Sequence, residues 1–497
     1  MISEQSVKHK DFINILILLT ATLCIGVYLI ATTVLIANDG CYCIQLAQNF
    51  AKDPIGIIKT SYFAYPFLIL STHKLVLLFT NDNSIQIWIY SAQSMTLLFR
   101  LLAIIPLYFI GKILVGEKHS FWGILILIFL PYPAGYGSDV LREWPHLFFL
   151  ATALLFLIHG SILGNWWMFA TAGLFTGFGY MIRPECAQIV LYAMLWSLVG
   201  LFIPKPDISR VKVVCLTLIL IVGFLMPAVP YSKIKGEILP PKLKAVISFD
   251  KNCQSERVER PAYIASVMPK DILKALGKFT ERIGENLMYF FMLPLIIGLY
   301  YHFRRPKEFL TDSRLFILAL IILYVAMMLL LHINYGYISR RHFMPMIAFT
   351  VFYIPTGLVI IADWISGINI TGNENKQKNT QKWFFILLTV GMLICLVKLS
   401  GLISEKRQGY RDAAKWLKEN TAPADIIAVP DMRITFYAQR EGVIYENESI
   451  PSSAVYVVKI LKNPKDEAAI AELSGKVVYK YTDEREKTIN IVIYRKW

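Results

Sequence analysis

The stretch INILILLTATLCIGVYLIATTVLIANDG, Ile13 to Gly40, decides the fold class of this chain. Its apolar part exceeds the roughly 20 residues that an α-helix needs to cross the hydrocarbon core of a bilayer. It is also too long for the apolar core of a cleaved signal peptide, so we expect an uncleaved membrane anchor. The polarity changes at its end, where Asp39 is the first carboxylate after the apolar run.

The composition of the whole chain points to the same class. Of 497 residues, 56% are hydrophobic and 17% are charged, and the mean hydropathy is +0.52. A soluble domain carries about 25% charged residues. Because no series of short amphipathic strands is present, α-helices are the structure that satisfies the backbone in lipid. The sequence therefore predicts a mainly α, polytopic membrane protein.

Apolar windows recur along the chain and predict about eleven transmembrane helices. Their ranges are 12–37, 86–110, 120–133, 145–163, 166–182, 187–203, 213–231, 286–303, 315–333, 343–364 and 383–401. The apolar segment Ser61 to Thr80 contains His73 and Lys74, and it decides the topology. If it does not span, the basic residues of alternate loops all fall on the cytoplasmic side, as the positive-inside rule requires. We therefore predict a cytoplasmic N-terminus, an extracytoplasmic C-terminus, and an interfacial helix at Ser61 to Thr80.

This topology divides the chain into a transmembrane domain, 1–404, and a soluble extracytoplasmic domain, 405–497. The loops of the first domain on the outer face are 38–85, 134–144 and 232–285. In the last of them, Pro269 to Leu287 has apolar residues at helical spacing with lysines and arginines away from them. This pattern predicts a basic amphipathic helix on anionic headgroups. The alternative is an ordinary hairpin packed on the spans.

The composition changes sharply from Glu405. The sequence then predicts, in order, helices at RDAAKWLKENT and MRITFYAQR and strands at DIIAVP, GVIYE, SAVYVVKI, GKVVYK and TINIVIYRKW. This alternation is typical of a small α/β domain. It contains no glycine-rich phosphate loop, zinc-ligand spacing or nucleophile elbow. We therefore expect it to cap the membrane domain or to hold an acceptor.

The formal charge of +15 does not indicate nucleic-acid binding, because most of the surplus lies in predicted cytoplasmic loops and near the interface. Orientation and contact with membrane lipids account for it better. The seven cysteines form no recognisable disulfide or metal framework. Cys41 and Cys43, beside Asp39, are interpreted as small helix-packing residues.

The predicted spans deliver a set of charged and aromatic side chains to one face of the membrane. It comprises Asp39, Asp139, Arg142, Glu143, Arg183, Glu185, Tyr337, Arg340, Arg341 and His342. Ionisable groups near membrane depth are costly unless they are paired or hydrated, so they are candidates for function. Arginines on the outer face also break the positive-inside trend.

A carboxylate-plus-arginine set suits transfer of a sugar from a polyprenyl phosphate. The departing lipid phosphate needs cations, and arginine offers a permanently charged bidentate fork. The acceptor hydroxyl needs a general base, which a carboxylate supplies. Each residue also has a simpler interpretation. Asp39 would cap a helix starting near Gly40, Arg183 and Glu185 would form a plain salt bridge, and Arg340 and Arg341 would bind lipid headgroups.

Several stretches, in order along nearly the whole chain, carry a resemblance to a known family. They are NDGCYCIQLAQNF, YFAYPFLILSTHKLVLLF, SDVLREWPHLFFLATALL, GLFTGFGYMIRPE, SRRHFMPMI and RDAAKWLKENTAPADIIAVPDMRITFYAQR. The layout resembles the GT-C membrane glycosyltransferases, specifically the family 39-like group that includes protein O-mannosyltransferases and the aminoarabinose transferase of lipid A. NDGCY is similar to that family's Asp-Glu-x-x-Tyr motif, and SRRHFMP to its Arg-Tyr-x-x-Pro pattern.

The resemblance implies roles for particular residues. Asp39 corresponds to the catalytic carboxylate, and Gly40 replaces the usual acidic neighbour, so a second carboxylate would be Asp139 or Glu143. Arg183, Arg340 and Arg341 would hold the donor phosphate. The donor or acceptor pocket would include Tyr42, Glu185, Tyr337 and His342, the last of which stands where the family often has tyrosine. A divalent metal is compatible with GT-C enzymes in general, but no ligand cluster in this sequence argues for one.

The expected function is thus transfer of a monosaccharide, hexosyl or pentosyl, with inversion. The donor would be a polyprenyl-phosphate sugar, and the acceptor a lipid, glycan or protein on the outer face of a bacterial inner membrane. Two alternatives are a transporter or flippase of lipid-linked sugars and a non-catalytic scaffold that binds polyprenyl lipids. The absence of a half-to-half repeat and the gathering of charges on one face favour the enzyme over the transporter.

Overall fold

The computed structural model describes residues 2–203, 208–236, 269–304, 312–367, 373–401, 405–445, 450–461, 475–482 and 489–496. Much of the expected outer loop 232–285 lies outside these residues, as does Cys253. The described part of the chain up to residue 401 is helical, with short connections. Its α-helices are α1 (Ile2–Thr32), α2 (Asn38–Phe50), α3 (Pro54–Thr60), α4 (Ala64–Val76), α5 (Ile85–Val115), α6 (Glu117–Phe129), α7 (Pro131–Ser138), α8 (Glu143–Leu163), α9 (Trp166–Ile182), α10 (Gln188–Phe202), α11 (Arg210–Lys235), α12 (Pro269–Asn286), α13 (Met292–Phe303), α14 (Asp312–Tyr335), α15 (Met344–Thr350), α16 (Tyr353–Gly367) and α17 (Asn373–Ser400). Short 3₁₀ turns at Pro184–Ala187 and Arg340–Phe343 precede α10 and α15.

The prediction of a polytopic, mainly α membrane protein is confirmed. Among the described residues, seven helices are long and apolar enough to cross a membrane. Two bent pairs raise the number to nine: α6 with α7, bent by 60°, and Arg340–Thr350 with α16, bent by 68°. The count of about eleven is not confirmed. Helices lie at all eleven predicted ranges, but α9 and α13 have only 17 and 12 residues.

The short length of α13 has a local cause. The predicted span 286–303 is interrupted because Met288 and Tyr289 have positive φ angles of 54° and 57°. Side chains disfavour this left-handed region, and it ends the preceding helix. Helix α13 therefore begins only at Met292, and at about 1.5 Å per residue it covers roughly 18 Å, less than the hydrocarbon core.

The bend between α6 and α7 exposes backbone carbonyls inside the protein, and two side chains satisfy them. Pro131 has no N–H to continue the helix. The buried Arg100 donates a hydrogen bond from Nη2 to the carbonyl of Ile128 at 2.8 Å, and Trp144 donates from Nε1 to the carbonyl of Pro133 at 2.9 Å. These contacts hold α7, and so Asp139 after it, at an angle to the bundle.

The interfacial helix expected at Ser61 to Thr80 corresponds to α4, which has only 13 residues. At about 1.5 Å per residue it is too short to cross the membrane. The His73 ring stacks on Trp88 with centroids 3.6 Å apart, and its Nε2 pairs with Asn83 Oδ1 at 2.9 Å. Burial lowers the pKa of the His73 imidazole below its usual value. His73 therefore belongs to the packing of α4 on α5.

Helix α12 combines the two interpretations of its sequence. Near its C-terminal end, Phe279 packs edge-on against Phe343 at 5.2 Å, and the Asn286 side-chain amide donates to the carbonyl of Arg340 at 3.2 Å. Nearer its N-terminal end, Leu273 and Leu276 are exposed. One half thus packs on the spans, and the other presents apolar surface beside basic residues.

The C-terminal region forms a small α/β unit, as predicted. Its helices are α18 (Glu405–Asn420) and α19 (Met432–Ala438), and its strands are β1 (Ile427–Val429), β2 (Gly442–Ile444), β3 (Tyr456–Ile460), β4 (Gly475–Thr482) and β5 (Ile489–Lys496). The sheet order is β2-β1-β3-β5-β4. Strands β2, β1 and β3 are parallel, and β5 runs antiparallel to both β3 and β4.

This unit docks on the helices that follow the first span. A single apolar cluster includes Ile36 and Ile44 on one side and Leu417 and Tyr437 on the other. The backbone N–H of Ile36 donates to the Tyr437 hydroxyl at 3.1 Å, and Arg411 donates to Gln86 Oε1 at 2.9 Å. The domain therefore covers the same end of the bundle as Asp39.

The opposite end of the bundle gathers loops that were predicted to be cytoplasmic. Lys112 forms an ion pair with Asp11, and Lys10 lies 3.3 Å from the carboxylate of Glu117. The two ends therefore have distinct charged groups. Which end faces the cytoplasm stays a prediction.

Candidate active site

Asp39 lies in the first turn of α2. The helix begins at Asn38, its N-cap is Ala37, and no side chain caps it. The Asp39 carboxylate instead accepts a hydrogen bond from Nη1 of Arg341, 302 residues away. The interpretation of Asp39 as a helix cap is therefore wrong. Its side chain is 56% exposed, so the carboxylate is accessible.

Gly40 lets α2 approach the loop after α7 closely. A Cβ at Gly40 would lie 2.5 Å from the backbone oxygen of Asp139 and 3.1 Å from Cβ of Val140. The N–H of Ala37 donates to the same Asp139 oxygen at 3.3 Å. Val140 has a φ of 58°, a left-handed conformation that is strained for a β-branched residue. The departure from the Asp-Glu motif at Gly40 thus has a steric reason, since any larger residue would push the first turn of α2 away from the Asp139 backbone.

Arg341 joins two carboxylates. Its Nη1 contacts Asp39, and its Nε lies 3.9 Å from Oε1 of Glu143. Glu143 is the first residue of α8 and is only 2% exposed. The 3₁₀ turn at Arg340–Phe343, which follows the apolar helix α14, places the Arg341 guanidinium between them.

A second arginine, Arg183, also forms an ion pair with Glu143. Arg183, itself buried, places Nη1 at 3.3 Å from Glu143 Oε1 and Nη2 at 3.5 Å from Glu185 Oε1. The plain salt bridge between Arg183 and Glu185 therefore exists, but it belongs to a continuous chain from Asp39 through Arg341 and Glu143. Buried charges are tolerated when paired in this way. Because Glu143 is enclosed by two guanidinium groups, it is better placed to orient Arg341 than to accept a proton.

A cavity of about 400 Å³ opens beside this chain of charges. It lies between the end of α1, helix α7, the turn at residues 339–341 and the last turn of α17. Its lining consists of Leu29, Thr32, Thr33, Val34, Pro131, Tyr132, Gly135, Tyr136, Ser138, Asp139, Ser339, Arg340, Arg341 and Lys398. Apolar and basic groups thus meet in one space, which suits an amphipathic anion.

Arg340 is held differently from Arg341. Its Nε lies 3.7 Å from Glu285 of α12, and its guanidinium sits over the ring of Tyr132 at 4.3 Å. Stacking on an aromatic face adds to the attraction of the ion pair. Arg340 therefore lines one wall of the cavity with part of its charge balanced.

No family model matches this sequence, and no curated protein matches it. Solved structures are similar over nearly the whole chain. ArnT from Cupriavidus metallidurans, bound to undecaprenyl phosphate, superposes with a TM-score of 0.58 at 14% identity and covers 96% of this chain and 97% of its own. The oligosaccharyltransferase AglB from Archaeoglobus fulgidus, in complex with an inhibitory peptide and a dolichol-phosphate, gives a TM-score of 0.54 at 12% identity and covers 98% of this chain and 74% of its own.

The protein has the GT-C fold. At these identities the likeness shows the fold alone, so the roles of individual residues rest on the geometry of this chain. The expected resemblance to GT-C proteins is confirmed at the level of the fold.

Within the GT-C fold of this chain, the cavity unites only part of the predicted site. Asp139, Arg340 and Arg341 line the cavity. Asp39 and Glu143 do not line it, but both lie next to the guanidinium of Arg341, which does. The lining does not include Arg183, Glu185, Tyr42, Tyr337 or His342. Tyr42 and Tyr337 are 56% and 52% exposed, so both are surface groups in this conformation.

Some lining residues were not predicted from the sequence. Tyr132 and Tyr136 looked like ordinary parts of an apolar segment. Lys398 stands near the predicted outer end of the last span, where the positive-inside trend disfavours a basic residue. That exception is a signal in the sequence that could have identified Lys398 as a candidate site residue.

The acidic residues of the site do not form a metal centre. Across the residues that the structure describes, no group of three or more His, Cys, Asp or Glu side chains is arranged to hold a metal ion. Asp39 and Glu143 already pair with arginine. The donor set of the described residues therefore does not fit a divalent cation.

Proposed function

We propose that the protein is a glycosyltransferase that moves a monosaccharide from a polyprenyl-phosphate carrier to a lipid, glycan or protein acceptor. The observation that carries this proposal is the Asp39–Arg341–Glu143 array beside a cavity lined by both apolar and basic residues. The presence of undecaprenyl phosphate in ArnT and of dolichol-phosphate in AglB supports a lipid-phosphate ligand for the same fold.

In this proposal Asp39 is the general base and Arg341 binds the donor phosphate. The acceptor oxygen forms a bond to the anomeric carbon of the sugar, and its proton passes to the Asp39 carboxylate. The bond from the anomeric carbon to the phosphate oxygen breaks, and its electron pair leaves with the lipid phosphate. A single displacement of this kind inverts the configuration at that carbon. Arg341 stabilises the negative charge that develops on the leaving phosphate.

The ion pair between Asp39 and Arg341 implies that donor binding precedes proton transfer to Asp39. One guanidinium fork cannot offer the same N–H groups to a carboxylate and to a phosphate. In this proposal the donor phosphate takes the Nη1 group of Arg341 that Asp39 holds, and its binding releases Asp39 to act as a base. Glu143 and Arg183 keep Arg341 in place during the exchange.

The remaining assignments belong to the same proposal. Asp139, which lines the cavity, is the second candidate for the base, and Tyr42, Tyr337 and His342 would contact substrate after it binds. Residues 1–404 would form the transferase domain and 405–497 a soluble domain that covers the site. The protein would reside in a bacterial inner membrane, with the N-terminus in the cytoplasm and the C-terminal domain outside.

The test uses purified protein in nanodiscs with a panel of radiolabelled polyprenyl-phosphate monosaccharides and membrane extracts as acceptors. We expect release of polyprenyl phosphate together with a glycosylated product identified by mass spectrometry. Loss of a general base typically slows turnover by about a hundredfold to ten-thousandfold, so Asp39→Asn should abolish most transfer while keeping the fold.

A matched control is Asp53→Asn, because Asp53 is exposed and caps α3, a role that asparagine also fills. This variant should keep full activity. If wild-type protein binds polyprenyl phosphate but never releases it from any donor, it is a scaffold rather than an enzyme. If it moves the intact donor across a bilayer, it is a flippase.

A further inference from the structure

The cations of the cavity differ in how their charges are balanced. Arg341 pairs with Asp39 and lies near Glu143, and Arg340 lies near Glu285. Lys398 lines the same cavity, and among the described residues no carboxylate pairs with it. The ammonium of Lys398 is therefore the cation most ready to accept an incoming anion.

Lys398 also stands where a polar group and an apolar chain would meet. It lies in the last turn of α17, which ends at Ser400. The neighbouring Leu399 belongs to a small buried apolar cluster with Leu29 of α1 and Ala134 of α7. Leu29 lines the cavity as well. A ligand with a phosphate at Lys398 would thus share the cavity with the apolar side chains of Leu29 and Val34.

An ordinary explanation for a lysine in the last turn of a helix is its favourable interaction with the helix dipole. That explanation concerns stability only. It does not account for Lys398 sharing a cavity with Arg340 and Arg341, which come from the turn before α15.

We infer that Lys398 is the first phosphate ligand of the donor, holding the lipid phosphate before it displaces Asp39 from Arg341. The inference rests on the proposed function. Lys398 is strongly hydrated and mobile as a point charge, so it suits capture, whereas the paired fork of Arg341 suits stabilisation of the leaving group. Affinity for the lipid phosphate should therefore depend on Lys398 more than maximal turnover does.

The experiment measures binding of undecaprenyl phosphate to the purified full-length protein in nanodiscs, and donor KM and kcat in parallel. Lys398→Gln should weaken binding and raise KM by about tenfold, the scale of one charge-assisted hydrogen bond. The kcat at saturating donor should change less than about threefold, since the leaving group still meets Arg341. Lys398→Arg should keep most of the affinity.

Lys382→Gln is the matched control, because Lys382 is an exposed lysine of the same helix that does not line the cavity. It should bind as the wild type does. Inorganic phosphate and phosphatidylglycerol are tested as competitors, and neither should displace undecaprenyl phosphate. Displacement by phosphatidylglycerol with the same dependence on Lys398 would identify a general headgroup site and overturn the inference.

Three other outcomes separate the inference from the function on which it rests and from a purely structural role of Lys398. Wild-type protein that neither binds undecaprenyl phosphate nor transfers sugar removes the proposed function and this inference together. An active wild type with unchanged binding by Lys398→Gln overturns the inference alone. A lower thermal midpoint for Lys398→Gln, with equal affinity once folded, assigns Lys398 to the helix dipole instead.

Discussion

Gly40→Ala adds a single methyl group at the closest backbone contact of the site. The new Cβ would lie 2.5 Å from the carbonyl oxygen of Asp139 and 3.1 Å from Cβ of Val140. An ordinary van der Waals contact with the Asp139 oxygen would need a distance nearly 1 Å longer than this 2.5 Å. The obstacle is backbone, which cannot rotate away like a side chain, so the first turn of α2 must move and carry Asp39 with it.

The expected cost has two parts. Overpacking of this kind typically lowers stability by about 1–3 kcal/mol. A misplacement of about 1 Å at a reacting group costs roughly a hundredfold in rate. We therefore expect transfer by Gly40→Ala to fall by about two orders of magnitude while the protein still inserts and folds.

The assay is release of labelled lipid phosphate in nanodiscs, with the thermal denaturation midpoint measured alongside. Gly277→Ala is the control, because a Cβ at Gly277 in α12 meets nothing within 4 Å. It should keep full activity and slightly raise the midpoint, since alanine favours a helix over glycine by about 1 kcal/mol. Turnover near the wild-type value in Gly40→Ala would refute the argument that this contact fixes Asp39.

Two further predictions concern the phosphate ligand and the topology. Arg341→Ala should lower kcat/KM for the donor by about tenfold to a hundredfold, and Arg341→Lys should recover only part because a point charge cannot reproduce the fork; an unchanged kcat/KM in both variants would make Arg341 a structural residue. A cysteine replacing Lys376 should resist a membrane-impermeant maleimide in intact cells, whereas one replacing the exposed Lys415 should react, and the reverse pattern would invert the topology. Cys43 should contribute little background, because burial raises the pKa of its thiol to about 12 and leaves almost no reactive thiolate at neutral pH.

The sequence predicted those features that depend on local pattern. Long apolar runs such as Ile13 to Ile36 must form helices, because the backbone has no other partner in lipid. The alternation after Glu405 predicted every helix and strand found there, since each short segment carries its own periodicity. The candidate charges could also be selected locally, because an ionisable group at a span's end is unusual wherever that helix packs.

Only the tertiary structure decided which of those charges meet. Asp39 and Arg341 are 302 residues apart, and nothing in either local stretch specifies the other as its partner. The same holds for Gly40 against Asp139 and for Lys398 in the lining of the cavity. Hydrophobic burial is non-directional, so an apolar run determines that a helix crosses the membrane but not which helix ends become neighbours. That choice depends on side-chain packing among all the helices at once, and the site lies where the ends of several helices converge.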